Sequence, residues 1–230
     1  GGRFDLGVGI GYRQTEFDQF KRKISHRPSL VEEGIEILRR SWSGEAVNFS
    51  GKRFEVGDLK VSPQPETNPK IYLGGMAEPA IQRAARVADG FLSTGGLGID
   101  AYNEALEQQG KSIQDGDIIL GSWAIIAEDP EAEAANVADH VLYQSNEYIK
   151  WGAFGPPDKT PLFDSAADAI KNGLYELWDA DMAVTELNKL LKTYPNIRDI
   201  HFWAQFPGES VESGNKRLRY IAEKVLPRLG

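Results

Sequence analysis

Glycine-rich turns follow three apolar stretches of the sequence, and they could hold a flat, phosphorylated ligand. The first turn follows LGV and contains Gly9, Gly11 and Tyr12. Glycines at such a turn let a ring or a sugar-alcohol chain lie against the backbone, where a side chain would clash. The same glycines are also compatible with simple helix–strand packing, and both interpretations stay open at this point.

The second and third turns have the features of a phosphate site. The second, in IYLGGMAEPA, comprises Gly74, Gly75, Met76 and Ala77 and leads directly into a predicted helix. The first backbone N–H groups of a helix and the positive end of its dipole favour an anion. The third, in FLSTGG, offers the Thr94 hydroxyl to the same phosphate or to the ligand's chain. Ordinary β–α turns are the alternative for both.

Other side chains give weaker signals. Trp203 lies at the end of the last predicted strand and could form a wall of a substrate pocket, although a tryptophan at such a position more often fills the core. The three histidines show no metal-ligand spacing, so no metal site is predicted. Paired acids in the chain fit solvated helix faces and caps. The sequence therefore assigns no catalytic residue.

Composition narrows the class of protein. The 230 residues are 41% hydrophobic and carry a net charge of −8, which disfavours nucleic acid and anionic membranes as partners. There is no cysteine, which excludes disulfides and thiolate chemistry. No apolar run approaches the length of a membrane span, and no signal peptide is visible. A cytoplasmic enzyme or binding protein for a small molecule is the expectation.

The order of predicted elements indicates an α/β fold. Five strand–helix units follow one another, which favours parallel strands joined by helical crossovers. A β-hairpin, predicted over residues 46–66, interrupts the first unit. The proline-containing stretch 152–183 is predicted to be a variable insertion before the last strand. We expect residues 1–230 to form a single domain.

Three of these stretches together resemble the luciferase-like monooxygenase family. They are LGVGIGYRQTEF, then LRRSWSGEAVNFSGKRFEVGDLKVSPQPETNPKIYLGG, then IQRAARVADGFL. The likeness is strong over residues 1–95 and looser afterwards, where DIHFWAQFPGES resembles the last barrel strand of the family. The resemblance implies a (β/α)8 TIM barrel of which this chain supplies strands 4–8. It also implies that the first three strands, with the family's usual catalytic groups, precede Gly1.

The resemblance also implies a chemistry. The leading hypothesis is an alkanal-type monooxygenase that uses reduced FMN and oxygen on a small organic substrate, provided that the preceding strands are supplied. A separate flavin reductase would provide the reduced FMN, and a homodimer is expected. The cofactor would contact Gly9, Gly11, Tyr12, the stretch 74–77 and Thr94.

Two alternatives accompany this hypothesis. The first is hydride transfer with a deazaflavin, which also carries a phosphate. The second is a non-catalytic flavin-binding relative or subunit, because family positions that often carry phosphate-binding groups are occupied here by Ile10, Ala77 and Ala80.

Overall fold

The computed structural model describes residues 2–230, and the chain divides into two compact units, with the boundary between Ile119 and Leu120. The first unit contains the strands β1 (Leu6–Val8), β2 (Val47–Ser50), β3 (Glu55–Leu59), β4 (Ile71–Gly74) and β5 (Gly90–Thr94). Its helices are α1 (Gln14–Gln19), α2 (Arg27–Trp42), α3 (Glu78–Val87) and α4 (Ile99–Gln108). Strand β6 (Asp117–Ser122) begins in this unit and ends in the next.

A parallel sheet forms the centre of the first unit. Its strand order is β1-β4-β5-β6, and both β1 and β5 pair parallel with β4. The side chains of Ile71, Tyr72 and Leu73 on β4 are almost completely buried. A continuous apolar run of this kind is typical of a parallel strand that is covered on both faces. The α/β class with a parallel central sheet is confirmed.

Helix α3 packs through small side chains. Ala80, Ile81, Ala84 and Ala85 are buried on one face, and Pro79 lies in the first turn, where proline is tolerated. Three alanines on this face allow the helix axis to approach its neighbours closely. The sequence of α3 therefore sets how near its N-terminus lies to the end of β4.

An antiparallel hairpin is formed by β2 and β3, with Ser50 opposite Glu55. The Glu33 carboxylate on α2 accepts hydrogen bonds from the backbone N–H groups of Lys52, Arg53 and Phe54, at 3.0, 2.9 and 3.1 Å. One acid therefore satisfies three donors of the hairpin turn, which would otherwise depend on water.

The second unit contains strands β7 (Ala124–Ile126), β8 (Glu176–Trp178) and β9 (Ile197–Phe202). Its helices are α5 (Pro130–Asn136), α6 (Ala138–Trp151), α7 (Ala166–Lys171), α8 (Ala180–Thr193) and α9 (Val211–Tyr220). Strand β9 neighbours β6, which both units share, and β7 pairs parallel with β8 in a separate two-stranded sheet. Within residues 2–230 the sheet has open edges and does not close into a barrel.

The second unit differs in detail from the elements expected from the sequence. The run DIILGSWAIIAED reads as one strand, but the structure divides it into β6 and β7, with Trp123 between them. The carbonyl of Trp123 accepts a 2.9 Å hydrogen bond from the Glu176 amide, and this begins the pairing with β8. Residues 152–183 accordingly contain the helix α7 and the strand β8.

The described part of the chain lacks two further features. Among residues 2–230, no helix combines the length and the apolar character needed to cross a lipid bilayer. In the same residues, no cluster of three or more His, Cys, Asp or Glu side chains is arranged as metal ligands would be.

Candidate active site

The carboxyl ends of three adjacent strands lie at one edge of the first unit. Val8 of β1 is paired with Leu73 of β4, and Leu73 is paired with Phe91 of β5. Because the strands are parallel, the turns that leave them begin at the same edge of the sheet. This register brings together the three predicted turns, at 9–12, 74–77 and 94–96.

The turn after β1 has open space above its backbone. Within the described residues, no heavy atom lies within 4 Å of where a Cβ on Gly9 would be. Gly11 adopts φ +75°, a left-handed conformation that favours glycine. Its carbonyl oxygen accepts a 2.9 Å hydrogen bond from Nη1 of Arg27, at the start of α2. Tyr12 is 39% exposed at the end of this turn.

The turn after β4 ends at an uncapped helix. Ala77 is the N-cap of α3 and, within residues 2–230, no side chain makes a capping hydrogen bond there. Pro79 has no N–H, and the Ala80 amide donates to the Ala77 carbonyl at 2.8 Å. The backbone donors that can face a ligand here are therefore the Glu78 amide and the amides of the turn before it. Packing also requires glycine at position 75, because a Cβ there would lie 2.5 Å from the Cβ of Ala80. Met76 is 44% exposed beside this terminus.

Arg83, the first basic residue of α3, is held by an acid on α2. Its Nε donates a 2.7 Å hydrogen bond to Glu32 on α2, and Arg86 donates to the same oxygen at 2.6 Å. Burial alone would raise the pKa of Glu32, but the hydrogen bonds from the two arginines outweigh it and lower that pKa. A phosphate at this edge would therefore depend on backbone N–H groups.

The turn after β5 combines a hydroxyl with exposed backbone. Thr94 is half-buried, and its carbonyl accepts a 3.1 Å hydrogen bond from the Leu97 amide. The Ser93 hydroxyl donates to the Leu97 carbonyl at 2.9 Å and fixes the same turn, a contact that the sequence did not suggest. Within residues 2–230, no heavy atom lies within 4 Å of where a Cβ on Gly95 or Gly96 would be. Leu97 is 59% exposed.

Trp203 belongs to an aromatic cluster in the second unit. Its ring lies 4.9 Å from that of Trp123, edge to face, and 6.3 Å from that of Tyr148. Trp123 in turn contacts Tyr175 at 5.3 Å between ring centroids. Trp203 is half-buried, so one part of its ring packs and another part remains available.

A cleft of about 470 Å³ opens beside this cluster. It is lined by Trp203, Gln205 and Gly208 on one side and by Glu147, Tyr148 and Trp151 of α6 on the other. Its size falls in the range of about 300–1,000 Å³ that is usual for small-molecule sites.

A buried ion cluster holds the segment that follows Trp203. Arg217 of α9 donates to Glu133 and to Glu209, each at 2.5 Å, and to the Ala204 carbonyl at 2.9 Å. Glu209 also accepts a 2.9 Å hydrogen bond from the Phe206 amide. Burial alone would raise the pKa of Glu209, but its hydrogen bonds, above all from Arg217, lower it. No local sequence signal identified this cluster, because its members are far apart in the chain.

The three histidines lie at a helix start, beside a backbone carbonyl and on an exposed strand position. His26 is the N-cap residue of α2, and slight desolvation together with Arg53 and Lys23 lowers its pKa. Nδ1 of His140 lies 3.0 Å from the Pro207 carbonyl, next to the cleft. His201 is exposed on β9.

Comparison with known proteins places these features in a family context. The family model described as luciferase-like monooxygenase matches residues 1–185. An F420-dependent glucose-6-phosphate dehydrogenase of Kribbella flavida is 30% identical over 240 residues, which span 99% of this chain and 70% of that protein. The corresponding protein of Amycolatopsis mediterranei is 25% identical over the same shares of the two chains.

Solved structures share the fold. The monooxygenase RslO1 from Streptomyces bottropensis superimposes with a TM-score of 0.74 at 19% identity, over 98% of this chain and 69% of that one. An F420-dependent secondary alcohol dehydrogenase has a TM-score of 0.72 at 16% identity, over 100% of this chain and 70% of that one. A third structure is the oxygenating constituent of 3,6-diketocamphane monooxygenase from Pseudomonas putida, in complex with FMN. It has a TM-score of 0.67 at 16% identity, over 100% of this chain and 72% of that one.

Proposed function

The chain belongs to the luciferase-like monooxygenase family, and we propose that it is the part of a deazaflavin-dependent oxidoreductase that binds the cofactor F420. The expectation of an oxidoreductase of this family is supported by the comparisons. Between its two cofactors, the relatives named F420-dependent favour the deazaflavin over FMN. When bound, a deazaflavin supplies two-electron hydride transfer, and the protein supplies binding and orientation.

The observation that carries the proposal is the open, glycine-lined edge at the ends of β1, β4 and β5. The space above Gly9, Gly95 and Gly96 would admit a flat ring and its chain against the backbone. The Glu78 amide and the backbone amides of the turn that precedes α3 would donate to a phosphate at this uncapped N-terminus. Met76 offers exposed apolar surface at the same edge. The residues present therefore fit the cofactor.

Fluorescence titration of the chain with F420 and with FMN tests the proposal. We expect F420 to bind about tenfold more tightly than FMN. The variant Gly9→Val places a branched side chain in the open space, so F420 affinity should fall at least about tenfold.

Gly57→Val is the matched control for this variant. Gly57 lies in β3, away from the glycine-lined edge, and within the described residues it too has no heavy atom within 4 Å of a Cβ position. We expect this control to bind F420 as the unaltered chain does. Equal loss in both variants, or no F420 binding by a folded chain, would contradict the proposal.

A monooxygenase that uses reduced FMN is the second candidate. The structural likeness to monooxygenases, one of them solved with FMN, supports it at the level of the fold. It would require a separate source of reduced FMN. Oxygen consumption with reduced FMN, without turnover of F420, would favour this candidate, whereas cofactor binding without either activity would favour a non-catalytic relative.

A further inference from the structure

We infer that the cleft beside Trp203 binds an uncharged alcohol or carbonyl compound with a hydrocarbon ring and rejects phosphate esters. The inference rests on the proposed function in so far as it treats the ligand of this cleft as the substrate. The evidence for selectivity comes from the cleft alone, which lies wholly within the second unit.

Five of the ten described residues that line this cleft are aromatic. The rings of Tyr148 and Trp203 are almost perpendicular, at 86°, and those of Tyr148 and Trp151 meet at 68°. Trp123 packs against both Tyr148 and Trp203 and supports them from behind, at 6.0 and 4.9 Å. Rings held in crossed orientations present faces and edges to a ligand, and these suit the C–H groups of a hydrocarbon ring.

Polar groups in the cleft suit a hydroxyl or a carbonyl group. Gln205 is exposed at the rim, and its Nε2 donates to the Glu209 carbonyl at 3.0 Å, which leaves its side-chain oxygen directed elsewhere as an acceptor. Gln144 is buried and accepts a 3.2 Å hydrogen bond from the Tyr175 hydroxyl. An amide group can donate to a carbonyl or accept from an alcohol without demanding a charge.

The charge of the lining argues against a phosphate ester. Within residues 2–230, the residues that line the cleft include the acid Glu147 and no lysine or arginine. Lys150 lies three residues after Glu147 on α6, but its Nζ is 2.8 Å from the Glu147 carboxylate, and about half of its side chain is exposed to solvent. A phosphate monoester carries a charge of roughly −2 near neutral pH and is normally bound by arginine, lysine or a free helix N-terminus.

The nearby helix N-terminus does not replace a basic side chain. Helix α9 begins three residues after Gly208, and its N-cap Ser210 already accepts a hydrogen bond from the Ser213 amide at 3.2 Å. The carboxylate of Glu209 precedes that cap and is held by Arg217, whose guanidinium is divided between two acids. A phosphate in the cleft would therefore meet the Glu147 carboxylate, while the nearby cations Lys150 and Arg217 are already paired with acids.

Cyclohexanol and cyclohexyl phosphate form a matched pair of probes, since they differ only in the phosphate. Their binding to the full chain can be followed by quenching of tryptophan fluorescence and by saturation-transfer NMR. We expect cyclohexanol to bind at least about tenfold more tightly than its phosphate, which corresponds to about 1.4 kcal/mol. Trp203→Ala should abolish cyclohexanol binding, with circular dichroism as the check on folding.

A charge-adding variant tests the same point without removing any packing. Gln205→Lys places a cation at the exposed rim and removes the amide acceptor, so we expect it to improve binding of cyclohexyl phosphate about tenfold and to weaken binding of cyclohexanol. Gln205→Met is the uncharged control of similar length and should improve neither. Equal or tighter binding of the phosphate by the unaltered chain would overturn the inference.

Parallel titration with F420 separates this inference from the proposed function. If F420 binds but cyclohexanol does not, the inference is wrong and the proposed function stands. If cyclohexanol binds selectively but F420 does not, the selectivity of the cleft is supported and the proposed function is contradicted.

Discussion

The two units of the chain offer ligands different kinds of surface. In the first unit, the helices that follow β4 and β5 begin at Ala77 and Gly98, and neither N-terminus has a side-chain cap within the described residues. In the second unit, four helices begin with a side chain that accepts from their own first turn, namely Asp129, Ser165, Asp179 and Ser210. Those two helix N-termini of the first unit therefore have no side-chain acceptor, whereas these four of the second unit each have one.

Side chains form the candidate site of the second unit instead. Tryptophan and tyrosine rings line its cleft, and buried charges hold the segment that carries Trp203 and Gln205. A backbone surface suits the shared parts of a cofactor, because it changes little when side chains change. A side-chain surface suits discrimination among substrates. The contrast therefore predicts that variants of the two units affect different ligands.

The largest effect is expected from Arg217→Ala. This variant leaves Glu133 and Glu209 buried without their cation, and breaking a buried pair in this way costs about 3–5 kcal/mol of unfolding free energy. Urea denaturation would measure the change. Lys216→Ala is the matched control. Lys216 is exposed, and its Nζ lies 4.0 Å from the Glu133 carboxylate, so this variant should change stability by less than about 0.5 kcal/mol. Similar losses in both variants would contradict the assigned role of Arg217.

The pH dependence of stability gives the next test of this ion cluster. The pKa of Glu209 is lowered in the folded chain, so its carboxylate stabilises the fold above the ordinary pKa of glutamate, about 4.3, and this contribution is lost as the pH falls through the lowered pKa. Urea denaturation between pH 7 and pH 3 should therefore show the unaltered chain losing more stability than Glu209→Gln. Exposed Glu223→Gln is the control and should follow the unaltered chain. Parallel curves for all three proteins would refute the prediction.

Adding a cap to α3 and removing the cap of α5 should have smaller and opposite effects on stability. Ala77→Asp supplies α3 with a side-chain cap, so stability should rise by about 0.5–1 kcal/mol. The new carboxylate would accept from the Ala80 amide and place a negative charge where the cofactor phosphate is proposed to bind, so F420 affinity should fall about tenfold. Asp129→Ala removes the cap of α5 and should lower stability by about 1 kcal/mol without changing F420 affinity. If Ala77→Asp bound F420 normally, the phosphate would not lie at α3.

Local patterns were enough to predict the parallel α/β class and the positions of the three turns in the first unit. Each of the strands β1, β4 and β5 is a short, largely apolar run with glycines at or just after its end, and a helix begins within a few residues. Strand β8 was missed because Glu176–Trp178 is only three residues long and is defined by pairing with β7, about fifty positions earlier. The Arg217 cluster was missed for the same reason, since Glu133 lies 84 positions away. Contacts between distant residues leave no periodic signal in the sequence.

The smallest effect on F420 affinity is expected at Arg27, whose contact with the turn after β1 was also not predicted from the sequence. Its Nη1 donates to the carbonyl of Gly11, and this hydrogen bond restrains a turn that contains a left-handed glycine. Arg27→Met keeps most of the apolar stem and removes the donor, so unfolding free energy should fall by about 0.5–1.5 kcal/mol. F420 affinity should fall about threefold, because the turn must then be ordered on binding. Arg22→Met, at a nearby exposed position, is the control and should leave both quantities unchanged. Unchanged F420 affinity in Arg27→Met, measured by the same fluorescence titration, would show that the turn after β1 needs no such restraint to receive the cofactor.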